Sequence, residues 1–174
     1  YKAVAPDPFR ISVRNFFHNL GAPVRIVNNI LQFKFVAAGF ELSSFVANTA
    51  FGAGGFADVA GTLEPLVEVP DDEEDLGQTL GYWGVNEGCY LVLPILGVST
   101  LRDSIGDLVE GYFLDPLTYT NLNWLERRVV NNYGEVNELS FRLGEYETFK
   151  KSTIEPYTAF RNAYIQNRRE RIKK

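Results

Sequence analysis

Apolar residues recur at intervals of three and four over most of the chain, which is the spacing of one helix face. The first predicted helix covers 7–21 and ends where Gly21 is followed by Pro23, which opens a second helix to about 33. In the first helix, a stripe that includes Phe9 is predicted to pack inward, with Arg10 on the outside.

A third predicted helix, 35–50, is apolar on most of its faces. Such a helix is either central in a fold or in contact with lipid, and the pattern alone does not separate the two. Further helices are predicted from Ser99 as cap to about Gly111, over 121–150, and from Pro156 onward. Because strand-like alternation is absent from the sequence, we predict an all-α fold with 1–174 as one domain.

The stretch 75–103 is the least charged part of the chain, and Glu87 is the single charged residue between Leu76 and Leu101. It is predicted to form two uncharged arms around a polar tip, with Asp75 as the cap of the first arm. As helices, arms of roughly 11 and 14 residues would be about 16 and 21 Å long. A helix that crosses the whole hydrocarbon core of a bilayer needs ~20 apolar residues, which is more than either arm has. Each arm therefore matches one leaflet of a bilayer, and the alternative is a buried hairpin in an ordinary globular core.

Composition limits the possible functions. A hydrophobic content of 45% with 22% charged residues predicts a folded domain, and a net charge of −5 argues against nucleic-acid binding. The abundant Tyr and Trp suit either a core or a membrane-water boundary. The single cysteine, Cys89, is predicted to be a small buried apolar residue, and the acidic run over 68–75 is predicted to be a solvated loop.

The sequence offers little for catalysis. His18 is the only histidine and has no ligand or carboxylate at a useful spacing. Ser99 lies in a sequence that only partly matches a nucleophile elbow, because Leu101 replaces its second glycine. We therefore expect no enzyme activity, no metal and no cofactor.

A pair of cations, Arg127 and Arg128, begins the amphipathic pattern of the second half. One interpretation is a surface pair. The other is a cationic site for a lipid phosphate, because a guanidinium presents forked donors to phosphate oxygens. Asp107, Glu110 and Asp115 are predicted to form a solvated helix face.

Ordered motifs over at least residues 4–118 resemble those of the MlaA (VacJ) family of outer-membrane phospholipid-transport lipoproteins. The motifs are Val13-Arg-Asn-Phe-Phe17, Asn19-Leu-Gly-Ala-Pro23, Asn48-Thr-Ala-Phe-Gly52, Gly55-Phe-Ala-Asp-Val-Ala-Gly61, Asp75-Leu-Gly-Gln-Thr-Leu-Gly-Tyr-Trp-Gly84, Gly88-Cys-Tyr-Leu-Val-Leu-Pro94, Gly97-Val-Ser-Thr-Leu-Arg-Asp103 and Asp115-Pro-Leu117. Two departures are Cys89 and Val98, at positions where the family usually or often has proline.

The resemblance implies a ring of helices, embedded in the periplasmic leaflet of a Gram-negative outer membrane, around a central amphipathic channel. It also implies a trimeric porin as partner and the passage of mislocalised phospholipid from the outer leaflet to a soluble periplasmic carrier. By the same resemblance, the chain is expected to be a mature fragment that lacks the family's lipidated cysteine and first helix. One alternative is a soluble periplasmic lipid chaperone, and a second is a lipid acylhydrolase that depends on Ser99.

The resemblance also assigns residues of the hairpin. Gly81, Gly84 and Gly88 match the glycines that flank it in the family, and we expect them to act as hinges. We expect the following residues to line the channel or contact lipid: Tyr82, Trp83, Tyr90, Leu91, Leu93, Arg127 and Arg128.

Overall fold

The structure is a computed structural model, and it describes residues 1, 4–62, 73–93, 97–143 and 155–173. Six α-helices make up most of the described residues, which confirms the predicted helical class. They are α1 (Asp7–Leu31), α2 (Phe35–Phe51), α3 (Leu76–Tyr82), α4 (Leu101–Phe113), α5 (Trp124–Leu139) and α6 (Pro156–Lys173). A 3₁₀ turn over Pro116–Tyr119 joins α4 to α5, and two short strands precede α4.

The strands correct the expectation of a chain without β structure. Strand β1 (Tyr90–Leu93) pairs antiparallel with β2 (Gly97–Thr100), in a register that places Tyr90 opposite Thr100. The second hairpin arm is therefore not a helix. Its β-branched and aromatic residues favour an extended backbone, and Pro94 between the strands has no N–H for continuing a helix.

Helix α1 is one continuous helix, so the prediction of two helices separated at Pro23 was wrong. Proline removes one backbone donor from a helix interior and normally favours a break. Here the guanidinium of Arg25 donates from Nη1 to the carbonyl oxygen of His18 at 2.9 Å and from Nε to Glu41 of α2 at 3.0 Å. These side-chain bonds fasten the turns around Pro23 to each other and to α2.

The interior of the described residues is unusually polar. Buried apolar residues are Val13, Ala22, Ala38 and Leu117, whereas the large side chains that are fully buried are Arg10, Gln32, Gln78, Asn28, Asn137, Thr79 and Thr100. The expected orientation of α1 is reversed at its start, because Arg10 is buried and Phe9 is half exposed. Arg10 donates from Nε to Ser140 Oγ, and Asn137 donates to the Arg10 carbonyl, which joins α1 to the end of α5.

A second polar network joins α1 to α3 and α4. Asn28 accepts a hydrogen bond from Thr79 Oγ1 at 2.8 Å and donates to Glu110 at 2.6 Å. Glu74 is buried and pairs with Lys34 at 2.6 Å, so the prediction of a solvated acidic loop is wrong at this residue. The earlier carboxylates of that run, Glu68, Asp71 and Asp72, lie outside the described residues.

The outer surface, in contrast, is rich in large apolar side chains. Helix α2 presents an exposed apolar face that consists of Phe35, Val36, Leu42, Val46 and Phe51. Val36 is 74% exposed and Phe51 is 80% exposed, so this helix is not central. None of the helices among the described residues combines the length and the hydrophobicity needed to cross a bilayer.

Candidate functional site

A cavity of about 540 Å³ lies between β2, α4, α5 and α6, with the residue before α3 on its wall. Four carboxylates and three guanidiniums share this wall with apolar and aromatic side chains. The lining residues are Asp75, Val98, Ser99, Asp103, Ser104, Asp107, Leu108, Gly111, Tyr112, Asp115, Trp124, Arg127, Arg128, Asn131, Tyr164 and Arg168.

Arg168 of α6 holds two of these carboxylates together. Its Nη1 and Nη2 bind the two oxygens of Asp75 at 2.5 and 2.7 Å, and its Nε binds Asp103 at 3.0 Å. Asp103 also accepts bonds from Arg102 at 2.8 and 3.0 Å and from the Tyr164 hydroxyl at 2.9 Å. This ion-pair network connects α3, α4 and α6.

Local sequence places the network's members. Asp75 caps α3 by accepting a hydrogen bond from the Gln78 backbone at 2.8 Å, as predicted. Thr100, not the predicted Ser99, caps α4 and so puts Asp103 in its first turn. A β-carbon on Gly77 would lie 2.5 Å from Asp103 Oδ1, and one on Gly106 would lie 2.7 Å from the Gly77 nitrogen. Only glycine at these two positions permits so close an approach of α3 and α4.

The network sets the charge states of its members. Burial alone would raise the pKa of Asp103, but the hydrogen bond and charge of Arg168, with the bonds from Arg102 and Tyr164, lower it overall. Burial would also lower the pKa of Arg168, and the bonds to Asp75 and Asp103 raise it instead. Burial and the charge of Asp103 raise the pKa of the Tyr164 hydroxyl to about 12. Asp103 and Arg168 therefore stay ionised near neutral pH, with Tyr164 protonated.

Two further carboxylates of α4, Asp107 and Glu110, have raised pKa values, in contrast to Asp103. Burial raises the pKa of Glu110 to about 7, although bonds from the Leu76 backbone and Asn28 act in the opposite direction. Desolvation by the cavity wall and the charge of Asp75 raise the pKa of Asp107 to about 6. Glu110 is thus a partly buried, bonded group, which corrects the predicted solvated helix face at this residue.

The third acidic residue of that predicted face is also engaged. Asp115 caps the 3₁₀ turn through Leu117 and accepts a bond from Asn131 of α5 at 3.0 Å. Asp107 alone of the three has no hydrogen-bond or ion-pair partner among the described residues.

The predicted pair Arg127 and Arg128 lies on the cavity wall, on the first turn of α5. Asn123 and Glu126 start this helix with a reciprocal capping box. Within the part of the chain that the structure describes, neither guanidinium has an ion-pair partner, and Arg127 Nε is buried without a hydrogen bond.

The hairpin glycines have different environments. Gly84 and Gly88 have φ angles of +89° and +69°, a backbone conformation that side chains other than glycine rarely adopt. Gly81 lies inside α3, and a β-carbon there would come within 2.4 Å of Ile172 on α6. The surroundings of Gly81 fit close helix packing, and the hinge role of all three glycines stays a prediction.

The aromatic and apolar residues of the hairpin do not form one group. Tyr82 and Trp83 are exposed, and Trp83 donates from Nε1 to the carbonyl of Leu31 at 3.1 Å. Tyr90 stacks edge-on against Tyr157 and against Tyr164 of the cavity wall, and it does not itself line the cavity. Leu91 is partly exposed on β1, and the side chain of Leu93 lies outside what the structure describes. Cys89 is exposed, which corrects its predicted burial.

The polar tip of the hairpin is tied to the last helix, because Glu87 forms an ion pair with Arg169 of α6. This pair holds the segment between Gly84 and Gly88 against α6. Sequence reasoning did not find it, nor the roles of Asp103 and Arg168. The only available signals were the Arg102-Asp103 dipeptide after an uncharged arm and the basic end of the chain.

The two residues weighed for catalysis have other contacts. The His18 ring lies near Arg25 and Glu73, and burial with the charge of Arg25 lowers its pKa. Ser99 Oγ lies within hydrogen-bond distance of the Thr100 carbonyl and of Ser104 Oγ. The described contacts do not join His18 and Ser99.

Comparison with known proteins decides the family. The family model described as MlaA lipoprotein matches residues 1–171. The chain belongs to the MlaA lipoprotein family. The resemblance of the sequence motifs is thereby confirmed.

Relatives within the MlaA family include the intermembrane phospholipid transport system lipoprotein MlaA of Escherichia coli, 32% identical over 95% of this chain and 64% of the relative. The protein of the same name from Haemophilus influenzae is 31% identical over 93% of this chain and 63% of its own length. An uncharacterised protein of Rickettsia conorii is 32% identical over 94% of this chain and 63% of its own length. The chain thus spans less than two thirds of the length of these curated relatives.

A solved structure described as "Structural basis for maintenance of bacterial outer membrane lipid asymmetry" superposes with a TM-score of 0.79 and 30% identity. The match covers 98% of this chain and 83% of the solved one. The MlaA-family motifs of the central stretch contribute Asp75, Ser99 and Asp103 to the cavity wall and Arg102 to the ion-pair network.

Proposed function

We propose that this protein transports phospholipid at the outer membrane of a Gram-negative bacterium. In this proposal it removes mislocalised phospholipid from the outer leaflet, passes it through the charged cavity, and delivers it to a periplasmic carrier. It lies in the periplasmic leaflet, with an outer-membrane trimeric porin as partner. The names of the E. coli and H. influenzae relatives support lipid transport, and the solved structure's description supports a role in lipid asymmetry.

One observation carries the proposal, namely the combination of a charged cavity with an apolar outer surface. In a water-soluble protein, contiguous exposed apolar patches are limited to a few hundred Å² and polar side chains are mostly outside. Here the described interior is held by hydrogen bonds between polar side chains, and the exposed face of α2 is apolar. Lipid tails could cover that face, which supports insertion into one leaflet.

The cavity has the chemistry that a phospholipid headgroup requires. Its volume falls within the roughly 300–1,000 Å³ of ordinary ligand pockets. Arg127 and Arg128 offer donors to phosphate oxygens, while Leu108, Tyr112 and Trp124 offer apolar contacts for the first part of the tails. Such a path needs no bond to be made or broken, because phospholipid in the outer leaflet is the less stable arrangement.

The hairpin supplies the movable part in this proposal. Gly84 and Gly88 flank the tip in glycine-favoured conformations, and the Arg169–Glu87 pair holds the tip against α6. Two hydrogen bonds from Arg102, to the carbonyl oxygens of Val85 and Glu87, also bind the tip, so its movement breaks these few contacts while the helices stay folded. Motion about these glycines would change the opening of the cavity.

The experiment is complementation. A Gram-negative strain that lacks its own MlaA-family lipoprotein would express the full-length gene product, and outer-leaflet phospholipid would be measured by its accessibility to added phospholipase. We expect the protein to reduce accessible phospholipid to the level of the parent strain. The Arg127→Gln/Arg128→Gln double variant should fail to do so, and Arg142→Gln, an exposed arginine outside the cavity, should succeed. No reduction by the wild-type protein, at normal abundance in the outer membrane, would refute the proposal.

A second measurement separates the soluble-chaperone alternative. A protein embedded in a leaflet requires detergent or lipid to stay dispersed, whereas a carrier with enclosed lipid does not. Purification as a monodisperse, lipid-loaded protein in buffer without detergent would favour the carrier.

A further inference from the structure

Three charged groups on the cavity wall have no partner among the described residues. Arg168 and Arg102 together neutralise Asp75 and Asp103, and Asp115 is engaged by Leu117 and Asn131. The groups that remain are Asp107 on α4 and the pair Arg127 and Arg128 on α5.

One of these groups, Arg127, has a buried donor that is costly to leave unpaired. Desolvating a charged group without a partner is unfavourable, and a buried hydrogen-bond donor without an acceptor destabilises the folded state. Arg127 Nε is such a donor, since it is buried without an acceptor in the described structure. Asp107 is exposed to the cavity, and the like charge of Asp75 acts on it more strongly than the opposite charge of Arg168. A ligand with complementary charges would relieve both.

The two kinds of charge lie on different helices of one cavity. Guanidiniums bind phosphate oxygens through forked hydrogen bonds, and a carboxylate binds an ammonium group. A headgroup with a phosphate and a terminal ammonium has both charges, two carbons apart. A headgroup whose only charge is its phosphate satisfies the arginines and leaves Asp107 unpaired.

We propose that Arg127, Arg128 and Asp107 form a headgroup site that prefers zwitterionic phospholipids with a primary ammonium, the phosphoethanolamine class, over anionic phospholipids. The arginines bind the phosphate, and Asp107 accepts hydrogen bonds from the ammonium group. This selectivity rests on the proposed transport of phospholipid and specifies its substrate class.

The remaining carboxylates do not serve this purpose. Asp75 and Asp103 have their oxygens bonded to Arg168, Arg102 and Tyr164. Asp115 has one oxygen at a helix cap and the other on Asn131. Asp107 is exposed within the cavity and is therefore the carboxylate that a ligand can reach.

The test is competition binding to the purified full-length protein. A fluorescent phospholipid is bound first and displaced by phosphatidylethanolamine, by phosphatidylglycerol, or by phosphatidylethanolamine acetylated on its nitrogen, all with identical acyl chains. Acetylation removes the ammonium charge and leaves the phosphate. We expect phosphatidylethanolamine to displace the probe at about tenfold lower concentration than the other two, as for a hydrogen bond between charged groups.

Variants separate the two halves of the site. Asp107→Asn should remove the tenfold preference while keeping phosphatidylglycerol displacement unchanged, and Arg127→Gln/Arg128→Gln should weaken all three lipids. Glu135→Gln and Arg142→Gln, which lie outside the cavity, should match the wild type. Equal displacement by the three lipids in the wild type, or a preference that survives Asp107→Asn, would overturn the headgroup assignment. Absence of any phospholipid binding would instead refute the proposed function itself.

Discussion

Arg168 on α6 forms a two-pronged ion pair with Asp75, whose carboxylate also caps the first turn of α3. One side chain therefore starts a helix and anchors the last helix of the chain to it. The same guanidinium reaches Asp103 of α4, whose side chain is 3% exposed. Because all three helices contribute, the cavity wall depends on Arg168.

We predict that Arg168→Gln lowers the free energy of unfolding by about 3 kcal/mol, since removing one member of a buried pair leaves uncompensated carboxylates. Arg169→Gln is the matched control. Its side chain is 62% exposed, and loss of its pair with Glu87 should cost less than about 1 kcal/mol. Chemical unfolding in detergent measures both, and equal effects would contradict the structural role assigned to Arg168.

Glu110 predicts a pH dependence of stability. Its folded pKa of about 7 lies above the ordinary value of 4.5, so folding favours the protonated form. The resulting contribution is complete below about pH 4.5 and is lost as pH rises through about 7. Glu110→Gln should keep an acceptor for Asn28 and Leu76 and remove this loss.

Thermal unfolding at pH 5 and pH 8 measures the effect. The variant should gain a few degrees in Tm at pH 8 relative to the wild type and should show little change at pH 5. Glu135→Gln, an exposed position on α5, should shift neither value. A Glu110→Gln variant that loses stability equally at both pH values would show that the hydrogen bonds outweigh the charge.

A substitution at Gly84 measures the cost of backbone strain without a packing clash, because a β-carbon there meets no atom within 4 Å. Its φ of +89° means that Gly84→Ala should cost roughly 1–2 kcal/mol of stability. Gly39→Ala, in an equally open site inside α2, should instead stabilise by up to about 1 kcal/mol. Chemical unfolding distinguishes the two.

The hinge hypothesis adds a functional expectation. Gly84→Ala combined with Gly88→Ala should leave the protein folded and raise the amount of outer-leaflet phospholipid accessible to phospholipase. Normal lipid asymmetry in cells with the double variant at wild-type abundance would argue that the hairpin need not move.

The exposed face of α2 predicts membrane affinity. Lysine at Val36 and Val46 places charge where lipid tails are proposed to lie, and charged groups are strongly disfavoured in that environment. We expect binding of purified protein to phospholipid vesicles to fall at least about tenfold. Because both side chains are exposed, the free energy of unfolding should change by less than about 0.5 kcal/mol per site. Val36→Leu with Val46→Leu should bind vesicles like the wild type, and unchanged binding by the lysine variant would place lipid elsewhere.

Local signals in the sequence were sufficient for several elements. The three- and four-residue spacing predicted α5 and α6, the nearly continuous apolar run predicted α2, and Asp75 was recognisable as the cap of α3. These features depend on neighbours within one helical turn, so they are readable along the chain. The pair Arg127 and Arg128 was also visible, though its position on the cavity wall was one of two open interpretations.

Other features required the folded chain. Pro23 lies within a continuous α1, where Arg25 binds both the His18 carbonyl and Glu41 of α2. The pairing of strand 90–93 with strand 97–100 was not predicted, because four-residue strands are too short to show a clear alternation of apolar and polar positions. The buried state of Arg10, opposite to its predicted exposure, depends on Ser140, which is 130 residues away.

The order of amino acids is enough to predict a mostly helical chain with an uncharged, glycine-rich centre, and to show which family its motifs resemble. The folded chain was needed to show that α2 faces outward and that Asp75, Asp103 and Arg168 meet. The physical reason is that burial and ion pairing depend on contacts between distant segments. A helix that is apolar on most faces has the same sequence pattern in a protein core and in lipid. The residue type of an Asp or Glu likewise does not show whether its carboxylate is solvated or ion-paired.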